Sequence, residues 1–245
     1  MIDLNSKSKE SVSDGINGHI DDAIIGVKRS KRTYLGASML GKECIRQVQY
    51  DFHHTPVDTG KGFSAKTYRI FELGHILEES MVQWFRQAGF DLRNEKPNGE
   101  QFGFEAANGV VQGHIDGVFC GGPPVIKYPA LWEAKTMAQT KFNAFKKHGV
   151  AKSHPVYAAQ VALYQAYMDL SENPAILTAI NKNTSELHHE VIPFNGKLAQ
   201  DTSDRAVRII QSGDQALPRI SDDPDYYLCK WCDYGQRCHY DSEHI

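Results

Sequence analysis

The chain has 245 residues, of which 41% are hydrophobic and 23% charged, with a formal net charge of -3. This length fits one large domain with a sizeable core, and the composition excludes a wholly disordered or fibrous chain. No apolar run approaches the roughly 18 residues of a membrane span, and the polar N-terminus lacks the apolar stretch of a signal peptide. We therefore expect a cytoplasmic protein without membrane contact. The charge balance argues against bulk coating of nucleic acid but leaves room for a local basic groove.

The predicted elements alternate between helices and strands. Residues 1–28 are polar with weak periodicity, which favours a flexible N-terminal arm, and residues 29–245 are interpreted as one domain. Apolar spacing and turn signals predict helices near 38–50, 68–87, 137–148, 155–168 and 197–212, and strands at 103–107, 110–119, 130–136, 175–181 and 186–194. Asn108-Gly109 predicts a hairpin turn. This order indicates an α/β or α+β layered domain.

A predicted strand pair carries the strongest chemical signal. Glu133 and Lys135 are two residues apart in an apolar strand, so their side chains share a face. Asp116 ends the preceding strand, and pairing of the two strands would bring both carboxylates together. Two convergent carboxylates suit a hard divalent cation such as Mg²⁺ or Mn²⁺, and a neighbouring lysine can hold the attacking water and stabilise the transition state of phosphate chemistry. The alternative is an exposed strand pair and a turn aspartate.

Residues on two predicted helices extend this pattern. His75 is a candidate third metal ligand, because imidazole binds manganese-like ions; alone, it is more readily explained as a surface or core histidine. Gln160 and Tyr164 are four residues apart on one helix face. Gln160 can orient the lysine or the water, and Tyr164 can donate to a phosphate; both can also simply pack the helix against the sheet.

Taken together, these segments resemble the PD-(D/E)XK nuclease superfamily, in particular its RecB-like branch. The matching segments are Gly74-His75, Gly113-x-x-Asp116, Glu133-Ala134-Lys135 and Gln160-x-x-x-Tyr164, in the expected order over residues 35–240. The resemblance implies an α/β fold with a restriction-endonuclease-like core, a central mixed sheet flanked by helices. It implies His75, Asp116 and Glu133 as metal ligands with help from the Ala134 carbonyl, Lys135 as the catalytic lysine, and Gln160 and Tyr164 as an accessory motif. Ile115 replaces the family's proline, which bears no chemistry.

The cysteines form a second pattern. Cys229, Cys232 and Cys238 close the chain with metal-site spacing, and a closed site needs a fourth ligand, for which Cys44 and Cys120 are candidates. RecB-like nucleases with an iron–sulfur cluster, including AddB-type subunits and CRISPR-associated RecB-like nucleases, place one cysteine before the core and three after it. The resemblance therefore implies Cys44 as the fourth ligand of a [4Fe–4S] cluster, a cysteine clasp joining the two ends of the domain. Zn²⁺ on the same four thiolates is the alternative.

A basic segment follows the Glu133–Lys135 strand. Its lysines are candidate contacts to DNA phosphates, together with one arginine: Lys141, Lys146, Lys147, Lys152 and Arg46. For each lysine alone, a solvated helix face is the simpler explanation.

We therefore expect a metal-dependent deoxyribonuclease. The resemblance to the cluster-bearing relatives, which are often exonucleases, implies an exonuclease acting on single- or double-stranded DNA ends in recombination, repair or end processing. The resemblance is also compatible with a phage origin and with a recombination or CRISPR-adaptation protein partner. Two alternatives remain open: a non-catalytic DNA-binding partner subunit with the nuclease fold, and a zinc-stabilised interaction module.

Overall fold

The computed structural model describes residues 9–240. The helices are α1 (Lys9–Gly26), α2 (Ile45–Phe52), α3 (Ala65–Gln87), α4 (Gln139–His148), α5 (Val150–Ser153), α6 (Pro155–Tyr167), α7 (Gly196–Gln211), α8 (Tyr227–Lys230) and α9 (Gly235–Tyr240), with a short 3-10 helix at Ala37–Met39. The strands are β1 (Leu35–Gly36), β2 (Asp91–Arg93), β3 (Gly103–Ala106), β4 (Val111–His114), β5 (Gly117–Gly121), β6 (Ala130–Met137), β7 (Ala175–Asn181) and β8 (Leu187–Ile192).

The central sheet has five strands in the order β2-β5-β6-β7-β8. Only β6 and β7 are parallel, paired from Trp132 opposite Ile176 to Met137 opposite Asn181, and the connection between them contains α4, α5 and α6. A parallel pair needs such a crossover, whereas antiparallel neighbours can be joined by short turns. The predicted α/β fold with a central mixed sheet flanked by helices is confirmed.

A smaller sheet of three strands has the order β1-β4-β3. The hairpin predicted at Asn108-Gly109 joins β3 to β4. The single strand predicted over 110–119 is instead two strands: β4 belongs to the small sheet and β5 to the central one. The break falls at Ile115 and Asp116, where Gln101 Nε2 donates to the Ile115 carbonyl oxygen at 3.0 Å.

Strand β6 is buried on both faces and separates two cores. Ala130, Trp132 and Ala134 pack with Met81 and Val82 of α3. Leu131 and Met137 belong to the other core, to which α4, α6 and α7 also contribute. This alternation follows from the two-residue period of a strand. It directs Glu133 and Lys135 towards the side on which α6 lies.

The predicted flexible arm, residues 1–28, contains a regular element. Residues 9–26 form α1, where Asp21 pairs with Arg69 of α3, and Arg29 lies 3.7 Å from the ring centroid of Tyr68. Residues 1–8 of the arm lie outside the described residues. Among the helices of residues 9–240, none combines the length and the apolar character needed to cross a bilayer.

Candidate active site

Asp116, Glu133 and Lys135 come together as their spacing predicted. Asp116 lies at the junction of the two sheets, and its Oδ2 accepts from the backbone N–H of Ala134 at 2.7 Å. The Lys135 ammonium pairs with Oε1 of Glu133. The Glu133 side chain is fully buried and that of Lys135 is 18% exposed, so the lysine side chain reaches solvent while the carboxyl group does not.

Helix α6 adds both residues of the predicted accessory motif. Gln160 Nε2 donates to Oε1 of Glu133 at 2.7 Å, within the protein interior. Tyr164 is only 2% exposed, and burial raises the pKa of its phenol, with the nearby Glu133 acting in the same direction. Gln160 is therefore positioned to orient Glu133, and Tyr164 packs behind the site.

A cavity of about 380 Å³ opens between α3 and the end of β6. Ala134 and Lys135 line it from the sheet, and His75 and Glu78 line it from α3. His75 is exposed, and it is near enough for its positive charge to oppose the rise in the pKa of Asp116 that burial causes. The cavity thus contains the two metal-ligand candidates His75 and Ala134 beside the catalytic candidate Lys135.

The carboxyl groups of the site titrate abnormally. Burial raises the pKa of Glu133 to about 8, repulsion from Asp116 adds to the rise, and Lys135 opposes it. Burial likewise raises the pKa of Glu78 to about 7, again with Asp116 adding and Lys135 opposing. Burial alone would lower the pKa of Lys135, but attraction to Glu133 and Asp116 outweighs it and the pKa is raised. A cluster of acids with such pKa values is typical of functional sites.

Three residues of this region are not among the site residues predicted from the sequence. Glu78 lies one helical turn after His75 on α3, a spacing that places both in the same cavity. Lys182 follows β7 and lines the cavity as an exposed cation. Tyr157 lies seven residues before Tyr164 on α6, and its ring centroid is 5.0 Å from Nζ of Lys135. The sequence does contain a signal for Tyr157, because its helical spacing places it on the same face of α6 as Gln160 and Tyr164.

Asp116 and Glu133 do not line this cavity, but they contact Ala134 and Lys135, which do. Oε2 of Glu133 is buried without a hydrogen-bond partner among the described residues, and an unpaired buried carboxyl oxygen is costly unless a cation occupies it. No three His, Cys, Asp or Glu side chains within residues 9–240 are already arranged around one metal position. Metal binding therefore requires side-chain movement, above all at Glu133, whose other oxygen contacts Lys135.

The four cysteines predicted as ligands line one small cavity. Cys44 is the N-cap of α2, and Cys229, Cys232 and Cys238 reach the same cavity from the end of the chain. Burial raises the pKa of the Cys232 thiol to about 11, and the neighbouring Cys44 and Cys238 add to the rise. The fifth cysteine, Cys120, is exposed and does not line this cavity.

Hydrogen bonds join the two ends of the domain around these cysteines. Tyr234 donates through its hydroxyl to Oδ1 of Asp51 at 2.7 Å. Asp58 accepts from the backbone N–H of Gln236 at 2.6 Å. Arg46, predicted to contact DNA, donates instead to the Leu217 carbonyl and lies 3.8 Å from Sγ of Cys238, so it lines the cysteine cavity and not the cavity beside Lys135.

The predicted DNA-contact lysines lie on α4 and α5. Lys146 pairs with Glu186 at 2.5 Å, whereas Lys141, Lys147 and Lys152 are exposed. Lys141 is close enough to His154 to add to the lowering of its pKa by burial. None of the four lines the cavity beside Lys135.

Comparison with known proteins found structural likenesses only. No protein-family model matches the chain, and no curated protein matches it either. The chain is similar to the crystal structure of SSO0001, with 13% identity, a TM-score of 0.44, and 92% of this chain and 94% of that chain covered. It is also similar to an alkaline exonuclease (LHK-Exo) from Laribacter hongkongensis, with 9% identity, a TM-score of 0.49, and 80% and 91% of the two chains covered. A structure of LHK-Exo in complex with dAMP gives 11% identity and a TM-score of 0.47 over the same shares.

Proposed function

We propose that this protein is a metal-dependent DNA nuclease that hydrolyses phosphodiester bonds at the cavity beside Lys135. The observation that carries the proposal is the convergence of Asp116, Glu133 and Lys135 at the sheet junction, with an unpaired buried oxygen on Glu133. A buried carboxyl oxygen without a hydrogen-bond partner is a candidate ligand for a cation, because buried polar groups in proteins are usually hydrogen-bonded.

Asp116, Glu133, His75 and the Ala134 carbonyl would hold Mg²⁺ or Mn²⁺, and Glu78 is placed to assist them. Carboxylate oxygens are the ligands that these hard cations prefer. When bound, the cation supplies Lewis-acid polarisation of phosphoryl oxygens. The raised pKa values of Glu133 and Glu78 support this assignment, because carboxyl groups crowded in a buried site ionise readily only beside a positive charge.

Lys135 acts as a hydrogen-bond donor in this scheme. Its pKa is raised, so the side chain stays an ammonium and cannot serve as a base. It holds the attacking water in line with the phosphorus atom, and its charge stabilises the negative charge that develops on the phosphoryl oxygens. Gln160 fixes Glu133 through the bond to Oε1, which keeps the carboxylate in place during the reaction.

We infer DNA ends as the substrate from the resemblance to cluster-bearing exonucleases, and we infer a place in recombination, repair or end processing on the same ground. The exposed cation Lys182, which lines the cavity, supports contact with a phosphate backbone there. The rival function is a DNA-binding subunit without catalysis.

The test is digestion of end-labelled linear DNA and closed circular DNA with Mg²⁺ or Mn²⁺, by wild type and Lys135→Ala. We expect linear DNA to be lost from an end, circles to survive, and Lys135→Ala to bind DNA but not cut it. Lys197→Ala, which removes an exposed lysine paired with Asp201 on α7, is the matched control and should cut normally. If wild type and Lys135→Ala bind DNA equally and neither cuts any substrate, the protein is the non-catalytic subunit instead.

We also propose that Cys44, Cys229, Cys232 and Cys238 hold a [4Fe–4S] cluster with a structural role. Four thiols around one cavity are a donor set that thiophilic centres require, and the raised pKa of Cys232 would be relieved by metal–thiolate bonding. Anaerobically purified protein should contain iron and sulfide and show the broad visible charge-transfer absorption of thiolate-bound iron. Stoichiometric zinc without iron would instead support the alternative of a zinc site.

A further inference from the structure

The aromatic ring of Tyr157 lies against the candidate catalytic lysine. The ring centroid is 5.0 Å from Nζ of Lys135, within the range in which a cation is attracted to the negative face of an aromatic ring. Lys135 is 18% exposed, so little water competes for the ammonium. Attraction of this kind is stronger at desolvated positions than at the surface.

The Tyr157 ring is itself held in place. It stacks on the imidazole of His154, with ring centroids 5.4 Å apart and planes within 4°. Nδ1 of His154 is 2.8 Å from Oγ of Ser153, and that hydroxyl donates to the Gly149 carbonyl at 2.5 Å. Pro155 begins α6, which fixes the backbone between His154 and Tyr157. These contacts support the ring in its place beside Lys135.

The remaining contact of Lys135 is a poor anchor during a reaction. The ammonium binds Oε1 of Glu133, and Gln160 donates to the same oxygen. In the proposed function Glu133 also serves a divalent cation, and a cation that shares this carboxylate weakens its hold on Lys135. A neutral aromatic face does not compete for the metal, so it can hold the ammonium whatever the state of Glu133.

We propose that Tyr157 is a positioning residue, which holds the Lys135 ammonium at the reacting phosphate through its aromatic face. This inference rests on the proposed role of Lys135 in hydrolysis. Tyr157 touches neither substrate nor metal in this scheme; it sets the place of the lysine. We assign the effect to the ring, because Nζ of Lys135 lies over it, 5.0 Å from the centroid.

The test compares substitutions that keep or remove the ring. We expect Tyr157→Phe to retain nearly full kcat, and Tyr157→Leu to lower kcat by about 2- to 30-fold, the range that corresponds to a cation–π contact, with KM for DNA unchanged. Tyr167→Leu is the matched control, because Tyr167 lies on the same helix but stacks on Phe104 with centroids 4.6 Å apart. Its kcat should equal that of wild type.

Fluorinated phenylalanines at position 157 separate attraction from packing. Successive fluorine atoms weaken the negative face of the ring while its shape changes little, so log kcat should fall steadily with fluorine number. An unchanged kcat across this series, or equal loss in Tyr157→Phe and Tyr157→Leu, would overturn the inference. If Lys135→Ala itself cuts DNA normally, the proposed function fails; if Lys135→Ala is inactive while Tyr157→Leu is fully active, only the positioning role fails.

Discussion

At the scale of single residues, Glu133 governs how the site responds to pH. Burial raises its pKa to about 8 in the folded protein, and Asp116 adds to the rise. In the unfolded chain the pKa of a glutamate is about 4.3. The folded state keeps a proton that the unfolded chain releases between these values. The stabilisation is therefore complete below about pH 4.3 and is lost as the pH rises through the folded value.

We predict that the free energy of unfolding in a chelator falls between about pH 5 and 8, with a slope of at most about 1.4 kcal/mol per pH unit for one proton. Glu133→Gln should remove the part of this slope that Glu133 contributes and leave the part due to Glu78, whose pKa is also raised. Mn²⁺ should reduce both parts in wild type, because a bound cation favours the ionised carboxylates. Urea unfolding at several pH values measures the slope. Glu79→Gln, at an exposed position of α3, is the control and should leave the slope unchanged. An identical slope in Glu133→Gln would contradict the raised pKa of this residue.

Lys182 lines the cavity, is exposed, and forms no ion pair within the described residues. Its ammonium is therefore available to bind a DNA phosphate. Lys182→Ala should raise KM, leave kcat nearly unchanged, and reduce the slope of log affinity against log salt by about 1. DNA binding measured by fluorescence anisotropy over a salt series tests this. Lys197→Ala, which removes a lysine paired with Asp201 on α7, is the control and should leave the salt slope unchanged. Equal salt slopes for wild type and Lys182→Ala would exclude a phosphate contact at Lys182.

The residues that sequence predicts best are those fixed by local period. Glu133 and Lys135 share a face because a strand alternates, and Gln160 and Tyr164 share one because a helix turns every 3.6 residues. Glu78, Tyr157 and Lys182 belong to the site through contacts between elements far apart in the chain. A local pattern does not contain those contacts, and Arg46 shows the same limit, since its partner Leu217 is 171 residues away.

At the scale of elements, Gly113 lets β4 approach α6. A Cβ at this position would lie 2.5 Å from Cε1 of Phe104 and 2.7 Å from Cε1 of Tyr164. Phe104 is stacked on Tyr167, so it has little freedom to move aside. The glycine is therefore required by close packing behind the candidate active site.

Gly113→Ala should lower the free energy of unfolding by about 1–3 kcal/mol, the usual cost of overpacking a core. Gly74→Ala is the matched control, because Gly74 lies inside α3 and a Cβ there meets nothing within 4 Å. That change should stabilise the protein by about 0.5–1 kcal/mol through helix propensity. Urea unfolding measures both, and Gly113→Ala with wild-type stability would disprove the close approach.

Element boundaries were predictable where turns and caps are local. The hairpin at Asn108-Gly109, the helix beginning at Pro155 and the strand at 175–181 are all present. The break at Asp116 was missed because the chain changes sheets there, and only the pairing partners of β4 and β5 reveal it. Helix α1 was missed because its sequence is weakly periodic and its contacts are with α3.

At the scale of the whole molecule, the two ends of the domain meet around the cysteine cavity. If Cys44 and the three later cysteines share one cluster, the cross-link closes a very long loop. We predict that Cys44→Ser loses the cluster and roughly 2–5 kcal/mol of stability, by the loop-closure argument for cross-links. Cys120→Ser is the control, since this exposed thiol is outside the cavity. Iron content and urea unfolding measure the effect, and equal stability of the two variants would contradict the clasp.

The central claim is that a divalent cation held by Asp116 and Glu133 enables this chain to cut DNA. The most direct measurement is the rate of nucleotide release from end-labelled linear DNA by wild type and Asp116→Asn, each with Mn²⁺ and with chelator. We predict release by wild type with Mn²⁺ alone, and loss of at least about 100-fold in Asp116→Asn, in line with removal of a charge that the transition state needs. Equal release by both proteins, or release by wild type in chelator, would contradict the account.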